Sequence, residues 1–295
     1  MKILGVYREK IYSNRAVEAD RLILEASIEA LRLATGGTSV LMEPEEFISA
    51  PSDADVILSM AQNERVLSVL ETCSKKEIPV INSVASIRNC YRMQLSLTLE
   101  NAGVNYPSYV IVDTGHDLAS FSFSSKNGYW VKRGDFHALS DSDVVYVKTI
   151  DDLQNAIRSF RDAKVERVII QEHIPGPIFK FYGIGRKFFT YRQMKQVCPP
   201  FQDELFPESE VDVSEMKRIA RLAAGALGLG IYGGDCIIDA NGGIHVIDMN
   251  DWPSFRTCRD EASISVAAHA LSLMRTRSTL QAGEDQKTWH LSDRV

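Results

Sequence analysis

Y-G-G-D-C-I-I-D-A-N-G-G-I-H-V-I-D-M-N, from Tyr232 to Asn250, is the stretch on which the fold turns. Two runs rich in β-branched and apolar residues, Cys236 to Asp239 and Ile244 to Met249, flank Asn241-Gly242, the strongest short-range signal for a two-residue hairpin turn. With Asn241 and Gly242 at the centre of the turn, Ala240 pairs with Gly243 and Asp235 stands directly opposite Asp248. Asn250, two residues further, shares their face. Directly opposed residues have Cβ atoms roughly 4.5–5.5 Å apart, so two carboxylates there repel unless a cation lies between them. Two carboxylates and an amide oxygen suit Mg²⁺, a hard ion that takes oxygen ligands and leaves its other positions to water and phosphate. Cys236, Ile238, Ile247 and Met249 then face a core. The bland alternative is an ordinary solvated hairpin face, but Ile237, Ile244 and Val246 would make that face too apolar. The assignment stands on register, which a one-residue bulge would break.

The 295 residues can bury a full core and divide into two or three subdomains. A net charge of −6 leaves no excess of Lys and Arg to neutralise a nucleic-acid backbone, so general nucleic-acid binding is not expected. Cys73, Cys90, Cys198, Cys236 and Cys258 are scattered without a C-x-x-C pair, which fits a reducing cytosol better than a disulfide framework or a zinc site. Met1-Lys2 leads straight into a strand-like run, and no apolar run approaches a membrane span. The expectation is therefore a cytoplasmic chain with neither a signal peptide nor a membrane segment.

Along the chain, residues 2–7 read as a short buried strand and Asn14 to Ala34 as an amphipathic helix closed by Gly36-Gly37. Strands at Ser39–Met42, Asp55–Met60 and Pro79–Asn82, with a helix over Glu64–Lys76, continue a small parallel α/β unit. It lacks G-x-G-x-x-G, so no dinucleotide site is read. One helix is expected from Ser86 to about Asn101, then strands at Tyr109–Val112 and Tyr129–Lys132, the latter delivering Lys132 into the polar loop R-G-D-F-H-A-L-S-D-S-D. A strand at Val144–Lys148, a helix capped by Asp151, and a strand at Val165–Glu172 ending in Q-E-H-I-P-G-P follow. Pro and Gly stop the sheet there and mark a hinge. A hairpin over Lys180–Tyr191, a helix over Glu215–Leu227 capped by Asp212 or Ser214, the acidic hairpin, and a last helix from about Asp260 to Met274 complete the pass. The polar end beyond Arg275 is expected to be loosely held.

The acidic hairpin with Pro253 after a Gly-ended helix resembles the end of an ATP-grasp domain, and further features from Arg88 to Ser254 arrive in that family's order. Lys132 at a strand end resembles the lysine that holds nucleotide phosphates, and Arg92 in R-N-C-Y-R-M the earlier basic residue, usually Lys. Gln171, Glu172, His173 and Ile174 match the strand-to-hinge segment whose backbone holds adenine. Asp235, Asp248 and Asn250 match the metal ligands, although Glu is more usual at position 248. The resemblance implies an α/β (α+β) fold: an N-terminal α/β domain over 1–85, subdomains over 86–172 and 173–276 that clasp ATP, and a tail over 277–295. It implies ATP and Mg²⁺ as cofactors, with Mn²⁺ as a substitute.

Three details resemble the inositol-polyphosphate kinases of the trisphosphate 5/6-kinase type within that superfamily. His137 stands five residues after Lys132, as that branch's substrate-loop histidine does. Lys180 stands where the branch has a substrate-phosphate lysine. I-D-M-N-D-W-P-S-F is close to its I-D-x-N-x-F-P-G-Y, with Ser254 in place of Gly. An early lysine of the branch has no match, Met60 standing where a base is wanted. The net charge favours an acceptor with one phosphate or carboxylate over a highly phosphorylated one. Arg192 and Lys195 could extend the basic patch. The expectation is phosphoryl transfer from ATP to a hydroxyl of a small anionic polyol, with Lys132, His137 and Lys180 as the catalytic set. Carboxylate–amine ligation through an acyl phosphate is the runner-up. A non-catalytic nucleotide-binding module would be expected to lack the triad or the loop bases. Acceptor identity, oligomeric state and any closure of loop 133–143 are not legible.

Overall fold

The computed structural model describes all residues except 14–15, 52, 116–123, 137–139, 195–206, 208–209 and 293–295. The chain forms two compact units, one of residues 1–9, 18–81 and 254–295, the other of residues 10–17 and 82–253.

The first unit carries β1 (Lys2–Val6), α1 (Val17–Thr35), β2 (Thr38–Met42), α2 (Pro44–Ser49), β3 (Val56–Ser59), α3 (Glu64–Lys75) and β4 (Val80–Ile81). Its sheet is wholly parallel in the order β2-β1-β3-β4. Strands buried on both faces read as continuous apolar runs, and β1 and β3 do so. The helix α2, which Pro44 starts, has no counterpart in the sequence reading. The closing helix runs from Arg259 to Ser292, well past the end expected near Met274, so the backbone of most of the expected polar tail is helical. None of the described helices is long and apolar enough to cross a membrane.

The second unit opens with two helices, α4 (Val84–Asn89) and α5 (Arg92–Asn101), where one was expected. Tyr91 has extended backbone angles and acts as the N-cap of α5, so Arg92 becomes its first residue. No glycine or proline marks this break. Next come β5 (Tyr109–Asp113), β6 (Tyr129–Arg133), β7 (Val144–Val147), α6 (Ile150–Asp162) and β8 (Arg167–Glu172), whose antiparallel sheet has the order β5-β8-β6-β7. The side chain of Thr149, rather than Asp151, caps α6. The helix buries Leu153, Ala156, Ile157 and Phe160 against Val131, Val147, Val168 and Ile170. By the two-residue period of a strand, Trp130, Lys132, Ile169 and Gln171 occupy the opposite face of the sheet.

A second antiparallel sheet, β10-β9-β11-β12, is built from β9 (Ile178–Ile184), β10 (Phe188–Gln193), β11 (Ile231–Ile238) and β12 (Ile244–Asp251). Between β10 and β11 lies α7 (Val213–Leu227), capped by the Asp212 side chain and closed by Gly228 in the left-handed conformation. Leu95 and Leu99 of α5, and Met216, Ala220, Ala223 and Leu227 of α7, pack on one face of this sheet with Phe179, Phe181, Cys236 and Met249. The other face is the polar one.

Candidate active site

The acidic hairpin reaches its register by a route the sequence did not indicate. The turn runs from Asp239 to Gly243, with Gly242 N donating to Asp239 O, Asp239 N to Gly243 O, and Gly242 at φ +81°. Three residues, not two, therefore connect the strands, in the pattern of a turn followed by a left-handed glycine. Asp239 Oδ1 accepts from the amides of Asn241 and Gly243, and its Oδ2 pairs with His245 Nε2 at 2.7 Å. Pairing runs Ile238↔Ile244 and Cys236↔Val246, then shifts by one so that Asp235 pairs with Asp248, leaving Ile247 as the extra residue of a bulge. The longer turn and the bulge cancel, and the two aspartates are opposed as expected. Ile244 and Val246 correct the reading, because they lie in the core with Cys236, Ile238 and Met249 rather than on the acidic face. Burying each is worth roughly 1.5–3 kcal/mol, which favours the bulged register over the unbroken one.

A charged row crosses the sheet at this point. Arg192 pairs with Lys180, Lys180 with Asp235, and Asp235 with Asp248. Lys180 Nζ lies 2.6 Å from Asp235 Oδ1. Burial raises the pKa of the Asp235 carboxyl above its ordinary value, with Asp248 adding to the shift and Lys180 only partly opposing it. The Lys180 ammonium is shifted upward on balance, since the attraction of Asp235 outweighs its burial. Asn250 pairs with Gly233, one step along the same face.

The facing sheet brings Lys132 to the same place. Its Nζ donates to Gln171 Oε1 at 2.5 Å and, more weakly, to the carbonyl of the bulged Ile247 at 3.4 Å. Burial and the nearby Arg92 guanidinium pull the Lys132 pKa down to about 8, against the pull of Asp248 and Asp235. Arg92, itself buried, donates to the Arg133 carbonyl at 3.1 Å. A cation in the first turn of a helix opposes the positive end of the helix dipole. Two buried cations beside that end make a place where an anion is favoured. Gln171 Nε2 is buried, forms no hydrogen bond of normal geometry, and interacts only weakly with the Tyr106 hydroxyl. These features fit nucleotide phosphates.

At the end of β8, the amides of Glu172 and His173 donate to the carbonyls of Ser108 and Gly128, and Ile174 carries the next amide in the segment. Trp130, two residues before Lys132 on its strand, donates from Nε1 to His173 Nδ1 at 3.0 Å. The strand period pointed to the shared face of Trp130 and Lys132, but nothing local signalled the reach to His173. Loop 133–143 is tied at both ends, because Arg133 makes a bidentate pair with Asp135 and a longer one with Asp143. Phe136 stacks on Tyr12 and packs against Tyr91, with ring centroids 4.8 and 4.5 Å away. His137 and Lys195 lie outside the described residues.

Among the described residues, no group of three His, Cys, Asp or Glu side chains could hold a metal. The donors at the acidic hairpin are two carboxylates and an amide, a set that fits an ion such as Mg²⁺ sharing its coordination with phosphates and water.

No family model matches the chain. Over 127 residues it is 29% identical to inositol-tetrakisphosphate 1-kinase 6 of Oryza sativa, in both the indica and japonica subspecies. That match covers 32% of this chain and 23% of the rice protein, so it spans under a quarter of the curated relatives' length. Solved structures resemble it over nearly its whole length. The D-alanine–D-alanine ligase of Bacillus anthracis complexed with ATP superposes with a TM-score of 0.71 at 14% identity, over 95% of this chain and 99% of the ligase. The RimK domain protein ATP-grasp of Sphaerobacter thermophilus gives 0.65 at 19% identity, over 91% and 99%. The chain has the ATP-grasp fold.

Proposed function

We propose that this chain transfers the γ-phosphoryl group of ATP to a hydroxyl of a small anionic polyol, such as an inositol or sugar phosphate. The observation that carries the reading is Lys180, a cation on the strand next to the carboxylate pair. A base there can hold an acceptor's anion close to where a phosphoryl group would be transferred. The short match to the rice inositol-tetrakisphosphate 1-kinase supports the same choice.

On this reading Lys132 and Arg92 hold the nucleotide phosphates, Gln171 to Ile174 hold the adenine, and Asp235, Asp248 and Asn250 hold Mg²⁺. The metal, when bound, supplies positive charge to the β- and γ-phosphates. Lys132 is suited to its task because its ammonium is already positioned by Gln171 and the Ile247 carbonyl, so little reorganisation is needed. Lys180 fixes the acceptor, with His137 proposed from the sequence as its partner. Phosphoryl transfer of this kind asks the protein for positioning and electrostatic stabilisation more than for covalent chemistry.

A carboxylate–amine ligase is the second reading, favoured by the ligase structures that share the fold. In that case Lys180 binds a carboxylate. The two separate in ³¹P NMR of the protein with ATP, Mg²⁺ and a pool of inositol phosphates, sugar phosphates, amino acids and dicarboxylates. A new phosphomonoester signal with ADP and no inorganic phosphate is the expected result. Stoichiometric inorganic phosphate appearing only with both an acid and an amine would replace the kinase by the ligase.

A further inference from the structure

We infer that Lys180 is the built-in counter-ion of the acidic pair and couples metal binding to acceptor binding: its ammonium is held by Asp235 until a cation takes that carboxylate, and is then released to the acceptor's anion. This rests on the metal and acceptor roles proposed above and adds the coupling between them.

The row across the sheet carries it. Asp235 has one neighbour on each side, Lys180 on β9 and Asp248 on β12. Two carboxylates at directly opposed positions repel, and one ammonium beside Asp235 offsets part of that repulsion. The Nζ–Oδ1 distance of 2.6 Å leaves that ammonium committed to the carboxylate rather than aimed at a ligand. The two side chains are 24% and 23% exposed, enough for the lysine to swing and little enough for its charge to need a partner. A divalent cation bound to Asp235 and Asp248 would compete for the same oxygen charge and repel the ammonium. The metal thus weakens the Lys180–Asp235 pair, and the freed ammonium strengthens binding of an anion. By linkage the effect is reciprocal, so the anion must also tighten the metal by the same factor.

The test uses the full chain without nucleotide. Binding of Mn²⁺ is followed by loss of the free-ion EPR signal, and binding of sulfate, as a tetrahedral anion probe, by calorimetry with and without Mn²⁺. In the unsubstituted protein sulfate should bind about fivefold or more tighter when Mn²⁺ is present. In Lys180→Met, Mn²⁺ should bind tighter than in the unsubstituted protein, and the sulfate effect should vanish. Lys180→Gln, which keeps a donor to Asp235 but no charge, should behave as Lys180→Met does and serves if the methionine variant folds poorly. Equal Mn²⁺ affinities in all three proteins, with binding still abolished by Asp235→Asn, would overturn the coupling while leaving the metal site intact. Mn²⁺ binding indifferent to Asp235→Asn would instead remove the metal site and the coupling with it.

Discussion

Trp130 Nε1 donates to His173 Nδ1 across β6 and the end of β8, and this one bond fixes the state of the histidine. An indole nitrogen only donates, so Nδ1 must be the unprotonated nitrogen and the neutral ring carries its proton on Nε2. Burial lowers the His173 pKa to about 4. Between there and its ordinary value the unfolded chain takes up a proton that the folded chain does not. Stability is therefore lost as pH falls from about 6.5 towards 4, by an amount on the order of 2 kcal/mol. Thermal unfolding followed by tryptophan fluorescence should show this loss, and His173→Gln should flatten it. An unchanged acid limb in the variant would rule out His173 as its source.

Lys132 gives the opposite end of the pH scale. Its pKa of about 8 lies below the ordinary lysine value, so its charge is a cost to the fold, present in full below about pH 8. Stability should rise as pH increases from there towards about 10.5, and Lys132→Met should lack the rise. The affinity for a non-hydrolysable ATP analogue should move the other way, falling above about pH 8 as the ammonium deprotonates. Calorimetric titrations across that range check both the loss and its absence in the variant.

Asp235→Asn removes half of the opposed carboxylate pair. Turnover should fall at least about a hundredfold, the scale for losing a charge aimed at the reacting centre. Lys180 then keeps its charge without a full partner in a half-buried place, at a cost of about 1–2 kcal/mol. A normal circular dichroism spectrum with a slightly lowered Tm and turnover reduced at least about a hundredfold is the expected outcome. Full activity with Mg²⁺ would end the metal assignment.

Gly234 stands just before Asp235 at a close approach of strands. A Cβ there would come 2.5 Å from Phe181 Cζ and 2.6 Å from the Asp248 carbonyl oxygen. The backbone contact cannot rotate away, so Gly234→Ala should cost about 1–3 kcal/mol. It should also weaken Mn²⁺ binding, because the strand that carries Asp235 must move from its partner. Unaltered Tm and metal affinity would mean that the strands yield more easily than their packing implies.

Much of the frame was legible because periodicity is a local property. Alternating strands and helices in the first unit and the Gly228 helix end follow from spacing, whereas the opposition of Asp235 and Asp248 was reached from a turn and a register that the structure replaces with two compensating irregularities. The break at Tyr91 was hidden, since no glycine or proline signals it and tertiary packing of Arg92 decides it. The bulge at Ile247 was hidden for a related reason: it is selected by the core that Ile244 and Val246 join, which strand pairing alone does not reveal. The partners of Lys132, one on its own sheet and one on the next, could not be read from neighbours in sequence.

The hairpin's two irregularities make the acidic pair indifferent to which of two tip alignments the chain adopts. A two-residue turn with no bulge and a three-residue turn with one both end with Asp235 against Asp248. They differ in which of residues 244–247 face the core and in whether the Ile247 carbonyl is turned out towards Lys132. The carboxylates are thus insulated from changes at the far end of the hairpin, and the lysine is not. A polar side chain at Val246, opposite Cys236 and two residues before Asp248, would favour the unbulged alignment and be registered first at the Lys132 ammonium.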